Sequence, residues 1–115
     1  MMKKLLLVLL FLLFSIISFS QNMCNEDICV VEFNAGFNKA NSVDWLEELG
    51  DCGVMRVDIQ ENPDLQKEHK IIVVPTIIVF NGEEVERFQA NIMMQLEATK
   101  KDVQNSIDEI LIETF

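Results

Sequence analysis

Ile71-Ile-Val-Val-Pro-Thr-Ile-Ile-Val-Phe-Asn-Gly-Glu-Glu-Val-Glu-Arg-Phe88 is a run of β-branched and aromatic residues interrupted at two points. Pro75 has no backbone N–H to give to a ladder, so a strand starts only after it, at Thr76, and runs to Phe80. Asn81-Gly82 then supplies two residues that tolerate positive φ, the strongest short-range hairpin signal. Glu83 to Phe88 therefore returns as an antiparallel strand.

Upstream, Cys29-Val-Val-Glu-Phe33 is short and β-branched, as a buried strand should be, and Asn34-Ala-Gly-Phe-Asn38 ends it with turn residues. Ser42 is placed to cap a helix in which Val43, Leu46 and Leu49 form one apolar stripe, with Glu47 and Glu48 outward. Gly50 and Gly53 close it, and Val54 to Ile59 reads as a second strand. Asn62-Pro63-Asp64 starts a short helix running to about Lys70, with proline at a favoured first-turn position. Downstream, Asn91 to Phe115 reads as helical. Val103, Ile107, Ile110 and Leu111 recur at helical spacing, and Thr99 with Asp102 resembles a capping box.

A strand–helix–strand start must be parallel with a right-handed crossover, whereas the Asn-Gly hairpin must be antiparallel. The expected fold class is therefore α/β, a mixed central sheet of about four strands flanked by helices. No internal repeat or low-complexity segment interrupts it.

At the amino end, Lys3 and Lys4 precede ten unbroken apolar residues, Leu5 to Phe14, and Ser18-Phe19-Ser20 follows as a small-x-small site. Charged start, short apolar run and small-residue site are the parts of a bacterial-type secretory signal. The run is also shorter than the ~20 residues a membrane-spanning helix needs, although an uncleaved anchor is the alternative. Gln21-Asn22-Met23 before Cys24 lacks the small residues of a lipoprotein site. The expectation is residues 1–20 as signal and 21–115 as one exported domain, periplasmic or extracellular, with no membrane contact after cleavage.

Loss of Lys3 and Lys4 takes the formal charge from −10 to −12. Such a balance argues against nucleic acid and against an anionic membrane surface, both of which need clustered Lys and Arg. Cys24, Cys29 and Cys52 are odd in number, so at most one intrachain bridge forms. With one histidine, His69, and no CxxC knuckle, no metal site is expected, and nothing points to a cofactor. His69 itself reads as a solvated helix-end residue.

Val31-Glu-Phe-Asn-Ala-Gly-Phe-Asn-Lys-Ala-Asn41 resembles the thioredoxin segment that reads V-D-F-W-A-x-W-C-G-P-C. Asp51 through Val57-Asp-Ile-Gln-Glu-Asn-Pro63 to Val74-Pro-Thr76 is similar to the same family without a gap, and Ile78-Val-Phe-Asn-Gly-Glu83 matches its hairpin. The resemblance covers about Ile28 to Ala90 and the last helix. It implies a thioredoxin-like fold with the family's first strand missing, because the signal ends shortly before Cys29. The strand Val54–Ile59 then has an uncovered edge, which implies self-association there or cover from Asn22 to Asp27.

The departures bear on activity. Asn38 and Asn41 stand where the family has its redox cysteines, and an amide cannot attack a disulfide. Catalytic residues are therefore expected to be none. Glu32 and Arg56 match a buried acid and base on adjacent strands, and the resemblance implies a structural ion pair with Arg56 as bidentate partner. Pro75 matches the family's cis-proline, beside which an extended peptide binds by strand addition. The implied groove comprises Phe37, Asn38, Asn41, Ile59, Val74, Pro75, Thr76, Ile92 and Met93. Asn91 to Ala98 is longer than the family's connection, and Ile92, Met93 and Leu96 read either as the core face of an extra helical turn or as an adaptable binding wall. If Glu32 and Arg56 share a face, strand alternation sets Cys29 opposite Cys52, so the expected bridge is Cys24–Cys52.

Three functions follow. The leading one is a redox-inactive binding or scaffold module for an extended peptide or protein. The others are an atypical thiol-disulfide oxidoreductase using Cys24, Cys29 or Cys52, and a structural subunit of an envelope assembly.

Overall fold

β1, Cys29–Asn34, is buried along its whole length, as a β-branched strand with neighbours on both sides and both faces should be. The computed structural model describes residues 23–114, so the expected export signal lies outside the described residues. Two short 3-10 turns, Gly36–Asn41 and Leu46–Glu48, lead to β2, Gly53–Asp58. α1, Pro63–Glu68, precedes β3, Thr76–Asn81, and β4, Glu83–Gln89, and α2, Lys100–Thr114, closes the chain.

The sheet has the order β2-β1-β3-β4. β1 and β2 are parallel with Glu32 opposite Arg56, while β3 runs antiparallel to both β1 and β4. This is the expected mixed four-stranded α/β sheet. The hairpin turns at Gly82, whose φ of 83° a side chain would strain. The Val74–Pro75 bond is cis, as the resemblance implies.

Alternation sorts the strands onto two cores. Cys29, Val31 and Phe33 join Val57, Ile59, Ile78 and Phe80 on one face, under Leu65 of α1. Val30, Ile77 and Val79 face the other way, packed on Leu46, Leu49 and, from α2, Val103, Ile107 and Ile110. The capping box at α2 is present: Thr99 N–H donates to Asp102 Oδ2 at 2.8 Å, and Asp102 N–H to Thr99 Oγ1 at 3.3 Å. That backbone hydrogen bond holds the Asp102 carboxyl below its usual range.

Four expectations need correction. No α-helix forms after Ser42. Arg56 Nη2 donates to the Val43 carbonyl at 2.7 Å, a group that would accept an i→i+4 bond in the first helical turn, and the Glu48 and Leu49 N–H groups turn back only three residues, to the Trp45 and Leu46 carbonyls at 3.0 and 3.3 Å. Leu46 and Leu49 still reach the core. The C-terminal helix begins at Lys100 and not at Asn91, because Asn91 Oδ1 accepts the N–H groups of Met93 and Gln95 and folds the segment into a loop. His69 is half-buried, its ring 5.4 Å from Phe33 and 5.3 Å from Phe80, because the chain bends inward after α1. Arg87 fixes that bend by donating to the carbonyls of His69 and Lys70 at 2.6 and 3.0 Å. Its guanidinium also holds the Glu84 carboxyl low.

The fourth concerns sulfur. Cys24 is bridged to Cys29, not to Cys52, with Cα atoms 5.6 Å apart. Alternation did separate Cys29 from Cys52, but Cys24 lies on the Cys29 side. Cys24 packs on the core that contains Cys29, whereas Cys52 packs on the opposite one.

Candidate functional site

The carboxyl ends of the parallel strands β1 and β2 converge on the turn Gly36–Asn41, the place where open α/β sheets hold ligands. Three asparagines and a serine fill it. Asn34 and Asn38 are both buried, and buried amides must find partners. Asn34 Nδ2 donates to Ser42 Oγ at 2.8 Å and to the Asn38 carbonyl at 3.1 Å, while its Oδ1 accepts the Ala35 N–H at 2.9 Å. Asn38 Nδ2 donates to Asn34 Oδ1 at 3.1 Å, and Asn41 Nδ2 donates to Asn38 Oδ1 at 2.8 Å.

Asn38 also reaches out of the turn. Its Nδ2 lies 3.4 Å from the Val74 carbonyl, next to the cis bond, and 3.2 Å from the Met94 carbonyl. One amide therefore ties together the turn, the proline loop and the loop before α2. Met94 adopts a φ of 57°, an unfavourable region for a methionine, and that backbone aims its carbonyl at Asn38.

Of the residues expected to line a groove, Ile59, Val74, Pro75 and Thr76 are buried, and Ile59 and Val74 belong to the core. Thr76 turns its hydroxyl to the Val73 carbonyl at 2.6 Å. Phe37, Ile92 and Met93 are the exposed members, at 69, 98 and 69 %. Leu96, by contrast, packs on the α2-side core. The central places of Asn34 and the Met94 carbonyl were not read from sequence. The signal available was the spacing of Asn34, Asn38 and Asn41 around one turn.

Beside the turn a cleft of about 270 Å³ is lined by Glu32, Ser42, Arg56, Lys39 and Asp58. The expected ion pair spans it, with Arg56 Nη1 2.7 Å from Glu32 Oε1. The bidentate partner is instead Glu47, which accepts Arg56 Nε at 2.8 Å and Nη2 at 2.9 Å. Arg56 is the main cause of the Glu47 carboxyl being lowered to about 2, and its own guanidinium pKa is pushed up by Glu47 and then by Glu32. Glu32, Arg56 and Ser42 are thus engaged within the protein. Among the described residues no group of three His, Cys, Asp or Glu side chains is placed to hold a metal ion.

The sulfur atoms lie elsewhere. Cys29 is opposite Phe80 and Phe33 opposite Thr76, so the bridge is at the far end of the sheet from Pro75. Cys52 carries a free thiol pushed up to about 11, chiefly by burial and then by Asp51 and Glu26.

Solved structures similar to this chain include thioredoxins. An N21Q mutant thioredoxin from Halobacterium salinarum NRC-1 superimposes with a TM-score of 0.59 at 24% identity, over 74% of this chain and 75% of that one. Thioredoxin NaTrxh from Nicotiana alata gives 0.56 at 22%, over 76% and 75% of the two chains. Mitochondrial thioredoxin 3 from Saccharomyces cerevisiae, in its oxidised form, gives 0.56 at 17%, over 82% and 89%. No family model and no curated protein matches the sequence. The fold is thioredoxin-like.

Proposed function

We propose that this thioredoxin-like domain is an exported binding module for an extended peptide or protein segment, and that it does no disulfide chemistry at the Pro75 end. One observation carries the reading. A closed amide network fills the turn where the resemblance would put thiols, and exposed apolar side chains stand on the loops around it. Amides of this kind supply shape and hydrogen bonds but no nucleophile. Exposed Phe37, Ile92 and Met93 supply apolar contact, with methionine adapting to its partner.

A peptide selected from a random display library for binding to the wild-type protein tests it. Ile92→Asp with Met93→Asp should weaken that peptide at least tenfold, the scale of a lost apolar anchor. A selected peptide that binds both proteins equally would place the binding surface elsewhere and sink the reading.

The Cys24–Cys29 bridge favours a second reading, thiol-disulfide exchange at the other end of the sheet. Exchange needs a low-pKa thiolate, commonly at a helix N-terminus, and Cys29 instead begins a buried strand. Reduction of insulin by the protein with dithiothreitol as electron source separates the two. Turnover above the reagent blank that disappears in Cys24→Ser would favour the oxidoreductase.

A further inference from the structure

β2 is an edge strand among the described residues, and its backbone shows which groups face outward. Gly53 N–H donates to the Ile28 carbonyl at 2.8 Å and Ile59 N–H to the Asn34 carbonyl at 2.9 Å, so odd-numbered residues point their polar groups at β1. By alternation, Val54, Arg56 and Asp58 point theirs away from the sheet. Exposed polar rows of this kind invite pairing with other chains unless they are blunted. At the carboxyl end the blunting is visible. Asn62 donates to the Asp58 carbonyl through its backbone at 3.0 Å and through its side chain at 2.9 Å.

At the amino end the cover is the segment before β1. Residues Met23 to Glu26 face Gly53 to Met55. A methyl group on Gly53 would sit 2.8 Å from Glu26 Cγ and 3.1 Å from Cys24 Cβ, so the approach requires glycine at that position. No backbone hydrogen bond joins the segment to β2 among the described residues. The bridge from Cys24 to Cys29 is the covalent tie that returns the segment to the sheet.

We infer that the Cys24–Cys29 disulfide is a redox clasp, closed over the Val54 end of the β2 edge and opened by a dithiol reductant. In the opening step one thiolate of the dithiol attacks a bridge sulfur, forming a mixed disulfide and releasing the other cysteine as a thiolate. The second thiol of the reductant then displaces the remaining cysteine. The bridge gains two electrons, two protons end on Cys24 and Cys29, and the dithiol leaves as a disulfide. Nothing in this step involves the Asn38 network, so the clasp stands or falls independently of the peptide-binding reading.

Cleavage of the full chain by a glutamate-specific protease, oxidised and then treated with dithiothreitol, tests it. Reduction should speed cutting after Glu26 at least tenfold while Glu32, buried in the central strand β1, stays uncut. Cys24→Ser with Cys29→Ser should show the fast pattern without reductant. Gly53→Ala should show it with the bridge intact, because the added methyl lifts the segment. Unchanged cutting after Glu26 on reduction would overturn the clasp. So would cutting at Glu32, which would make the bridge a staple of the whole fold.

Discussion

The two ends of β1 differ in chemistry. Asn34, at the carboxyl end, enters a ring of amides beside the cis-proline, whereas Cys29, at the amino end, enters a disulfide. At roughly 3.3 Å per residue the strand keeps them about 17 Å apart. Disulfide exchange on a bound peptide needs sulfur and a peptide-holding surface at one place. Here the bridge lies at one end and the surface proposed for peptide at the other. The fold alone therefore says little about activity, because the same sheet carries both ends and only the side chains at each end separate them.

Breaking the ion pair that lies between the two ends should cost most. Arg56 joins β2 to β1 through Glu32 and fastens the 43–48 segment through Glu47 and the Val43 carbonyl. Arg56→Met leaves the Glu32 carboxylate buried with only the Val43 N–H for a partner. The expected loss is about 2–3 kcal/mol in urea unfolding, below the usual value for a fully buried pair because Arg56 is one-third exposed to water. Adding Glu32→Leu to Arg56→Met should restore part of it, since an apolar pair leaves no orphaned charge. A single substitution that costs nothing would mean that the Glu32–Arg56 pair does not hold β2 on β1.

Asn38→Ala acts at the amide end alone. It removes the Asn38 donor from the Val74 and Met94 carbonyls and from Asn34 Oδ1, which keeps the Ala35 N–H, and it leaves Asn41 without its acceptor. About 1–3 kcal/mol of stability should be lost in the same unfolding assay. The Cys24–Cys29 end should be unaffected, with the bridge intact by mass spectrometry. Loss of the bridge in this variant would show that the ends are not independent.

Local signals made much of this legible. The hairpin, the proline before β3, the helix starting at Pro63 and the Thr99–Asp102 box depend on neighbours in sequence, and all formed as expected. The Glu32–Arg56 pair was legible only through resemblance, since its members are far apart in the chain. What failed was decided by groups arriving from elsewhere. Val43, Leu46 and Leu49 have helical spacing, and two leucines are buried as that spacing predicts. The helix gives way to a 3-10 turn where Arg56, arriving from β2, takes the Val43 carbonyl. The cysteine pairing failed similarly. Alternation placed Cys29 and Cys52 on opposite faces, but it could not say which face the lead-in carrying Cys24 would take.

A local effect, at one thiol, sharpens the sulfur end. Cys52 is the thiol left outside the bridge, and burial, with Asp51 and Glu26 nearby, raises it from 9.0 to about 11. A raised thiol pKa favours the neutral form in the folded state. Its contribution to stability is therefore complete below pH 9 and is lost as the pH climbs toward 11. At neutral pH the thiolate fraction is about a hundredth of that of an ordinary cysteine, since two pKa steps are a factor of a hundred. Iodoacetamide should accordingly modify Cys52 about a hundredfold more slowly than free cysteine at pH 8, with the rate reaching half its plateau near pH 11. A midpoint near 9 would mean that Cys52 is an ordinary thiol, open to reagents in solution. The sulfur end would then carry a solvent-accessible thiol on the face opposite its bridge, and its contrast with the amide end would be larger than the burial of Cys52 implies.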